Sequence, residues 1–287
     1  MRTMIKIGLT GWGDHDSLYE GITKSSEKLN VYAGHFPTVE IDSTFYAVQP
    51  LRNMEKWAND TPDSFSFVVK AYQGMTGHQR GDSIPFSTRD EMFDAFLASL
   101  EPLKKSGKLG MVLCQFPPWF ECKKESVTYL RYCKEKLQDV PCALEFRHQS
   151  WFAPEYREQT LSFMEKEKWI HSVCDEPQAG ARSIPFVMDT VGQDHVLFRF
   201  HGRNVAGWNK PANGQEWRDV RYLYDYNQRE LEELSQKVKE AHQSAKEVYV
   251  LFNNNSGGHA TGNAKKMIDL LGLNYEGLAP RQLGLFD

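Results

Sequence analysis

Short apolar runs of strand length recur along the chain and alternate with segments of helical periodicity. Several runs are almost continuously apolar, which is typical of parallel strands buried on both faces. Polar residues follow each run, most visibly the three asparagines after the last one. The pattern predicts eight strands, at Ile5–Leu9, Val39–Ile41, Phe65–Val69, Leu109–Phe116, Cys142–Phe146, Ile170–Cys174, Val196–Phe200 and Val248–Phe252.

Helical patterns lie between most of these runs. The longest covers Thr88–Ser106, with Ser87 or Thr88 as its cap and two acidic residues in its first turn. The sixth unit differs, because Gln178–Thr190 has no clear helical pattern. The other predicted helices are Ser25–Gly34, Leu51–Asn59, Ser126–Leu137, Glu155–Lys166, Gln228–Ala245 and Asn263–Leu271.

Strand and helix alternate about eight times, which favours a (β/α)8 barrel of TIM type in a single domain, residues 1–276. An extended tail, residues 277–287, follows it. The length of 287 residues fits such a barrel. An open doubly wound sheet is the alternative, and it usually has a glycine-rich phosphate turn after its first strand. The segment Thr10–Asp14 does not form that turn.

Composition narrows the class of protein. A net charge of -4 and a pI of about 6.2 argue against nucleic-acid binding over the whole surface, but a local basic cleft remains compatible with them. No segment reaches the roughly 20 apolar residues of a membrane span, so we expect a cytoplasmic protein. The five cysteines have no zinc or disulfide spacing, and the sequence identifies no cofactor.

Ionisable and polar side chains follow the predicted strands, where barrel enzymes carry their active sites. Side chains two residues apart share a face, so Glu145 points with Arg147, and Arg199 with His201. We expect these pairs to face into the barrel. The candidate catalytic residues are Glu145, His201, Glu40 and Asp175, and the candidate substrate-binding residues are Lys70, Arg147, Arg199, Trp12, Tyr46, Gln115, His148, Asn253 and Asn254.

The balance of residue types indicates a chemistry. Three fixed cations suit a phosphate or carboxylate ligand, and His201 beside a carboxylate suits acid/base catalysis near neutral pH. A divalent metal on the carboxylates and His201 is possible but not favoured, because the cations would repel it. The structural alternative is that Glu145 with Arg147 or Arg199 forms an ion pair that only closes the barrel.

Two long connections, Ala71–Ser87 and Arg203–Asn227, also follow strands. Each is either a lid or substrate wall at the carboxyl end of the barrel, or a decoration that packs on it. The second is rich in aromatic residues, including Trp208, Trp217 and Tyr222.

Seven motifs, in order along the chain, resemble the YecE-like family, also called domain of unknown function seventy-two. The resemblance covers essentially the whole chain up to about Leu271. It implies a TIM-type barrel and leaves the reaction open. Where the family often has aspartate in its strand-eight motif, this chain has Asn255. The motifs are Gly8–Trp12, Glu40–Tyr46, Thr61-Pro62 with Phe65–Lys70, Gln115–Pro118, Glu145–Trp151, Arg199–Gly202 and Phe252–Asn254.

The tail resembles the short peptide by which bacterial replication and repair proteins bind the DNA polymerase sliding clamp. Leu285 and Phe286 would fill an apolar pocket, Gln282 would supply a hydrogen bond, and Leu283 completes the motif. The alternative is that these apolar residues pack against the bottom of the barrel.

These observations favour an enzyme that acts on an anionic, phosphate-bearing substrate. We expect a phosphoester hydrolase of DNA or nucleotide metabolism, recruited by its tail to the clamp. An enzyme acting on a small carboxylate or sugar-like metabolite is one alternative. A non-catalytic ligand-binding or adaptor barrel is the other.

Overall fold

The computed structural model describes residues 4–79, 85–189, 194–209 and 216–281. Eight parallel strands pair in chain order, and the eighth pairs with the first to close the barrel. This confirms the predicted (β/α)8 barrel of TIM type. The strands are β1 Met4–Thr10, β2 Thr38–Ile41, β3 Ser66–Lys70, β4 Leu109–Gln115, β5 Cys142–Glu145, β6 Ile170–Asp175, β7 His195–Phe200 and β8 Glu247–Phe252.

The helices surround the barrel. The predicted helix over Thr88–Ser106 is interrupted at Leu100, because Pro102 has no N–H to donate to a carbonyl of the preceding turn. Its predicted cap is confirmed, since the Thr88 hydroxyl accepts a hydrogen bond from the Glu91 N–H. The helices are α1 Lys28–Ala33, α2 Ser43–Tyr46, α3 Leu51–Asn59, α4 Arg89–Ser99, α5 Glu101–Lys105, α6 Lys124–Leu137, α7 Arg157–Lys166, α8 Val205–Trp208, α9 Trp217–Arg221, α10 Gln228–His242 and α11 His259–Leu271.

One further helix boundary depends on local backbone conformation. Helix α11 begins at His259, four residues before the predicted start, because Gly257 and Gly258 adopt φ of 76° and 77° and make the turn out of β8. The sixth unit holds no helix within residues 178–189, in agreement with its sequence pattern.

Strand alternation divides the barrel interior into an apolar layer and a polar layer. Ala143, Leu197 and Leu251 belong to a buried cluster inside the barrel. Glu145 and Arg199, each two residues further along its strand, point the same way. The polar layer therefore lies directly above the apolar layer, at the carboxyl ends of the strands.

The last described residues, 277–281, pack against the opposite end of the barrel. The Ala279 N–H donates to the carbonyl of Ala33 at the end of α1 (3.0 Å), and the Ser64 hydroxyl donates to the carbonyl of Gly277 (2.9 Å). The clamp-like residues lie outside the described residues: Gln282, Leu283, Leu285 and Phe286. Within the described ranges, no helix has the length and apolarity needed to cross a membrane.

Candidate active site

Five buried side chains of alternating charge run across the carboxyl end of the barrel. Glu40 of β2 accepts from Nη2 (2.8 Å) and Nε (2.9 Å) of Arg199. Arg199 Nη1 lies 2.8 Å from Oε2 of Glu145, and Oε1 of Glu145 lies 2.7 Å from Nε of Arg147. Arg147 Nη1 then donates to Glu176 at 2.6 Å. We call these five residues the ion chain.

Neutral side chains complete the surroundings of Glu145 at the centre of the ion chain. The Gln115 amide donates to Oε1 at 2.6 Å, and the Ser172 hydroxyl donates to Oε2 at 3.1 Å. With two arginines and two neutral donors, each oxygen of this buried carboxylate has partners. Such satisfaction is what a charge removed from water requires.

The three carboxyl groups of the ion chain differ in acidity. Burial raises the pKa of Glu145, but Arg147 and Arg199 oppose it more strongly and hold that pKa well below its ordinary value. Burial raises the pKa of Glu40 to about 7, although Arg199 opposes the rise. Burial likewise raises the pKa of Glu176 to about 7 against the effect of Arg147. Glu145 is therefore ionised at neutral pH, and the carboxyl groups of Glu40 and Glu176 titrate near neutral pH.

His201 lies against the ion chain as a neutral hydrogen-bonding group. Its Nε2 lies 2.9 Å from Nη2 of Arg147. Because arginine can only donate, Nε2 accepts from Arg147, and Nδ1 of the ring lies 2.8 Å from the side-chain amide nitrogen of Asn253. Burial, followed by Arg147 and Arg199, holds the pKa of His201 well below its ordinary value. His201 is therefore neutral at neutral pH.

A cleft of about 1280 Å³ opens above the ion chain. Arg147 of the ion chain lines this cleft, and so does Asn253, which contacts His201. Lys70 lies on the wall of the cleft, 3.4 Å from the carboxylate of Asp42. The side chains that line it include four cations, three acids and several aromatic rings. Among them are Asp14, Asp42, Phe45, Tyr46, Lys70, His78, Gln115, Trp119, Arg147, Arg182, Trp208, Trp217, Asp219, Arg221, Tyr222 and Asn253.

Arg221 is a cation of the cleft that lies among three aromatic rings. Its guanidinium carbon lies 4.5 Å from the ring centre of Trp217, 4.8 Å from that of Trp208 and 5.2 Å from that of Tyr222. Its buried Nε has no hydrogen-bond partner, and no carboxylate of the described chain lies within ion-pair distance of it. Burial, with Arg147 nearby, lowers the pKa of Arg221. Cation–π contacts hold this charge in place without neutralising it.

One known protein family matches almost the whole chain. A family model described as "Protein of unknown function DUF72" matches residues 6–284. The chain belongs to the DUF72 family. The resemblance found in the motifs is confirmed.

The DUF72 chain has relatives among both sequences and solved structures. It is 62% identical to UPF0759 protein YunF of Bacillus subtilis over 283 residues, which cover 99% of this chain and 100% of YunF. It is 29% identical to UPF0759 protein YecE of Escherichia coli over 159 residues, 55% of this chain and 54% of YecE. The crystal structure of a DUF72 family protein (EF0366) from Enterococcus faecalis has a TM-score of 0.90 at 41% identity, covering 98% of this chain and 100% of that one. A DUF72 protein (TM1631) of Thermotoga maritima has a TM-score of 0.77 at 30% identity, covering 94% and 100%.

The DUF72 barrel brings most of the sequence-predicted residues together. Glu40, Glu145, Arg199 and His201 form or contact the buried ion chain. The residues that line the cleft are Tyr46, Lys70, Gln115, Arg147 and Asn253.

Four predicted residues lie outside this arrangement, because strand alternation or a turn directs them elsewhere. Asp175 follows the inward-facing Cys174 and points to the helices, where it accepts from Tyr226 (2.6 Å) and Arg203 (2.8 Å). Asn254 donates to Tyr224 (2.8 Å) and to Asn263 (2.7 Å). Trp12 packs edge-on against Trp57 with ring centres 5.2 Å apart, and His148 is paired with Ser150 (2.8 Å).

Glu176 of the ion chain and Arg221 of the cleft are among the charged residues of the DUF72 site that were missed from the sequence. Glu176 directly follows β6 and continues the face of Ser172 and Cys174, so counting in twos past the end of the strand would have found it. Arg221 lies in the aromatic-rich connection after β7, but only tertiary contacts bring its guanidinium to Trp208 and Trp217.

A metal does not fit the cluster of Glu145, Cys174 and His201. Glu145, Cys174 and His201 offer ligand atoms within 4.8 Å of one another. However, Arg147 already contacts both Glu145 and Nε2 of His201, and burial raises the pKa of the Cys174 thiol well above its ordinary value. A cation placed there would meet two guanidinium groups and a neutral thiol.

Proposed function

We propose that this DUF72 protein is an enzyme that acts on a phosphate-bearing substrate held in the cleft. The observation that carries this proposal is Arg221, a half-buried arginine in a box of aromatic rings without an acidic partner among the described residues. A phosphate supplies the missing negative charge. The planar fork of arginine also matches two phosphate oxygens at once.

Arg147 is the second group assigned to the phosphate. Glu145 and Glu176 hold its guanidinium from two sides, at 2.7 and 2.6 Å, while the side chain still lines the cleft. A cation fixed in this way stabilises negative charge that develops during a reaction without having to reorganise. In this proposal Glu145 and His201 are positioning residues that act through Arg147.

The proposed reaction is hydrolysis of a phosphoester. Water attacks phosphorus, the ester P–O bond breaks, and the departing oxygen takes up a proton. Arg147 and Arg221 would neutralise the phosphoryl oxygens. Asp42, which lines the cleft 3.4 Å from Lys70, would accept the proton of the attacking water, and Lys70 would supply the proton that the departing oxygen takes up.

The test is a calorimetric titration with inorganic phosphate, followed by an assay on a chromogenic phosphodiester. Arg221→Met should weaken phosphate binding at least about tenfold, because charge-assisted hydrogen bonds contribute roughly 1.5–3 kcal/mol. Arg131→Met is the matched control, since Arg131 is an exposed arginine paired with Glu167. Phosphate affinity that is equal in wild type, Arg221→Met and Arg147→Ala would refute the proposal. Tighter binding of malonate than of phosphate would favour the small-carboxylate alternative.

We also propose that the tail binds a sliding clamp through Gln282, Leu283, Leu285 and Phe286. What supports this is the position of residues 277–281 at the end of the barrel opposite the cleft. A partner bound there would leave the cleft open. Purified clamp should bind the protein, and a Leu285→Ala/Phe286→Ala variant should not; equal binding by both forms, or by neither, counts against the motif.

A further inference from the structure

Trp119 stands between the cleft and a second cavity and lines both. The residue is 48% exposed, which is unusual for so large an apolar ring. The indole N–H donates to the carbonyl of Gly77 (3.3 Å), and the ring meets His78 edge-on with centres 5.9 Å apart. Trp119 is therefore an exposed ring held in one orientation.

The second cavity has about 530 Å³, within the size range of ligand sites. Its described wall combines rings and hydroxyl groups, among them Phe120, Tyr129, Thr76 and Ser87. Arg89 adds a cation, with its guanidinium carbon 5.5 Å from the centre of the Tyr129 ring. These are the groups that receive a flat ring, a sugar hydroxyl and an anionic linkage.

The cleft side of Trp119 has a similar character. Tyr46 lines the cleft with its residue 72% exposed, and Phe45 supports it edge-on at 5.3 Å. Lys70 and Arg221 lie in the same cleft. Exposed rings next to cations are how proteins bind single-stranded nucleic acids, since each base stacks and each phosphate is neutralised.

We propose that the ligand of this site is a single-stranded nucleic acid segment of at least two linked nucleotides, which spans Trp119. One phosphate lies at Arg221 in the cleft, a base stacks on Trp119, and the neighbouring nucleotide occupies the second cavity beside Arg89. This inference rests on the proposed function for the phosphate at Arg221. It adds the class of substrate and a second subsite.

The experiment compares the affinities of ribose 5-phosphate, thymidine 5′-monophosphate and a 5′-phosphorylated thymidine dinucleotide. The dinucleotide should bind wild type at least about fivefold more tightly than the mononucleotide, as expected for one further stacked base. Ser87→Trp, at an exposed position on the wall of the second cavity, should abolish this gain and leave mononucleotide affinity unchanged. Ser87→Ala is the control that keeps the cavity open, and thermal melting verifies that both variants fold.

The possible results separate this inference from the proposed function. If wild type binds mononucleotide and dinucleotide equally, or if Ser87→Trp keeps the gain, the second subsite is refuted while the phosphate site remains. If Ser87→Trp unfolds, Trp119→Ala takes its place and should reduce dinucleotide affinity more than ribose 5-phosphate affinity; equal losses would overturn the inference. If wild type binds none of the three ligands, both proposals fail.

Discussion

Replacing Arg199 with methionine measures how strongly the ion chain depends on its inner cation. Arg199 is fully buried and donates to Glu40 and Glu145 over distances of 2.8–3.0 Å. Methionine keeps part of the volume of arginine. It leaves Glu40 without its arginine partner and Glu145 with Arg147 alone. Removing one partner of a buried ion pair costs about 3–5 kcal/mol, so we expect the free energy of unfolding to fall by that amount at pH 8.

Urea denaturation followed by tryptophan fluorescence provides the measurement. The double variant Arg199→Met/Glu40→Gln should be less destabilised than the sum of its single changes, by at least about 1 kcal/mol, because the amide removes the charge that Arg199 neutralised. Arg131→Met, at an exposed pair with Glu167, should cost no more than about 1 kcal/mol. A loss for Arg199→Met as small as that of this control would refute the reasoning.

Three further predictions concern acidity, Asp175 and metals. Since burial raises the pKa of Glu40 to about 7, its stabilising protonation is complete below about pH 4.5 and is lost as the pH rises through 7. Glu40→Gln should therefore remove up to about 1.4 kcal/mol of stability change per pH unit between pH 5 and 7, and an unchanged slope in the denaturation curves would contradict this. Asp175→Asn should alter phosphate affinity by no more than about twofold in calorimetry, because Asp175 points to the helices; a tenfold loss would return it to the site. Zinc or a chelator should leave the melting temperature unchanged, and a zinc-dependent rise that Cys174→Ser abolishes would show that a metal binds after all.

Much of this protein can be predicted from local sequence patterns. Alternation in strands is a property of two neighbouring residues, so it places Glu145 with Arg147, and Arg199 with His201, on the inner face. The eight apolar runs likewise predict a parallel barrel, because each run indicates a buried strand and a helical segment lies between most of them. Helix boundaries depend on single residues such as Pro102 and Gly258, and these were predicted less closely.

The candidate site depends on contacts that alternation does not specify. Glu40 and Arg199 are 159 residues apart and pair only because the closed barrel brings β2 and β7 to the same interior. The neutral state of His201 and the raised pKa of Glu40 follow from removal of water and from neighbouring guanidinium groups, which are properties of the assembled interior. Among the described residues, Arg221 has no acidic partner because of how the connection after β7 folds against the cleft. The sequence by itself determined which side chains face inward, and the tertiary structure decided which of them meet and which charges stay available to a ligand, because pairing and desolvation act across the barrel and alternation acts along one strand.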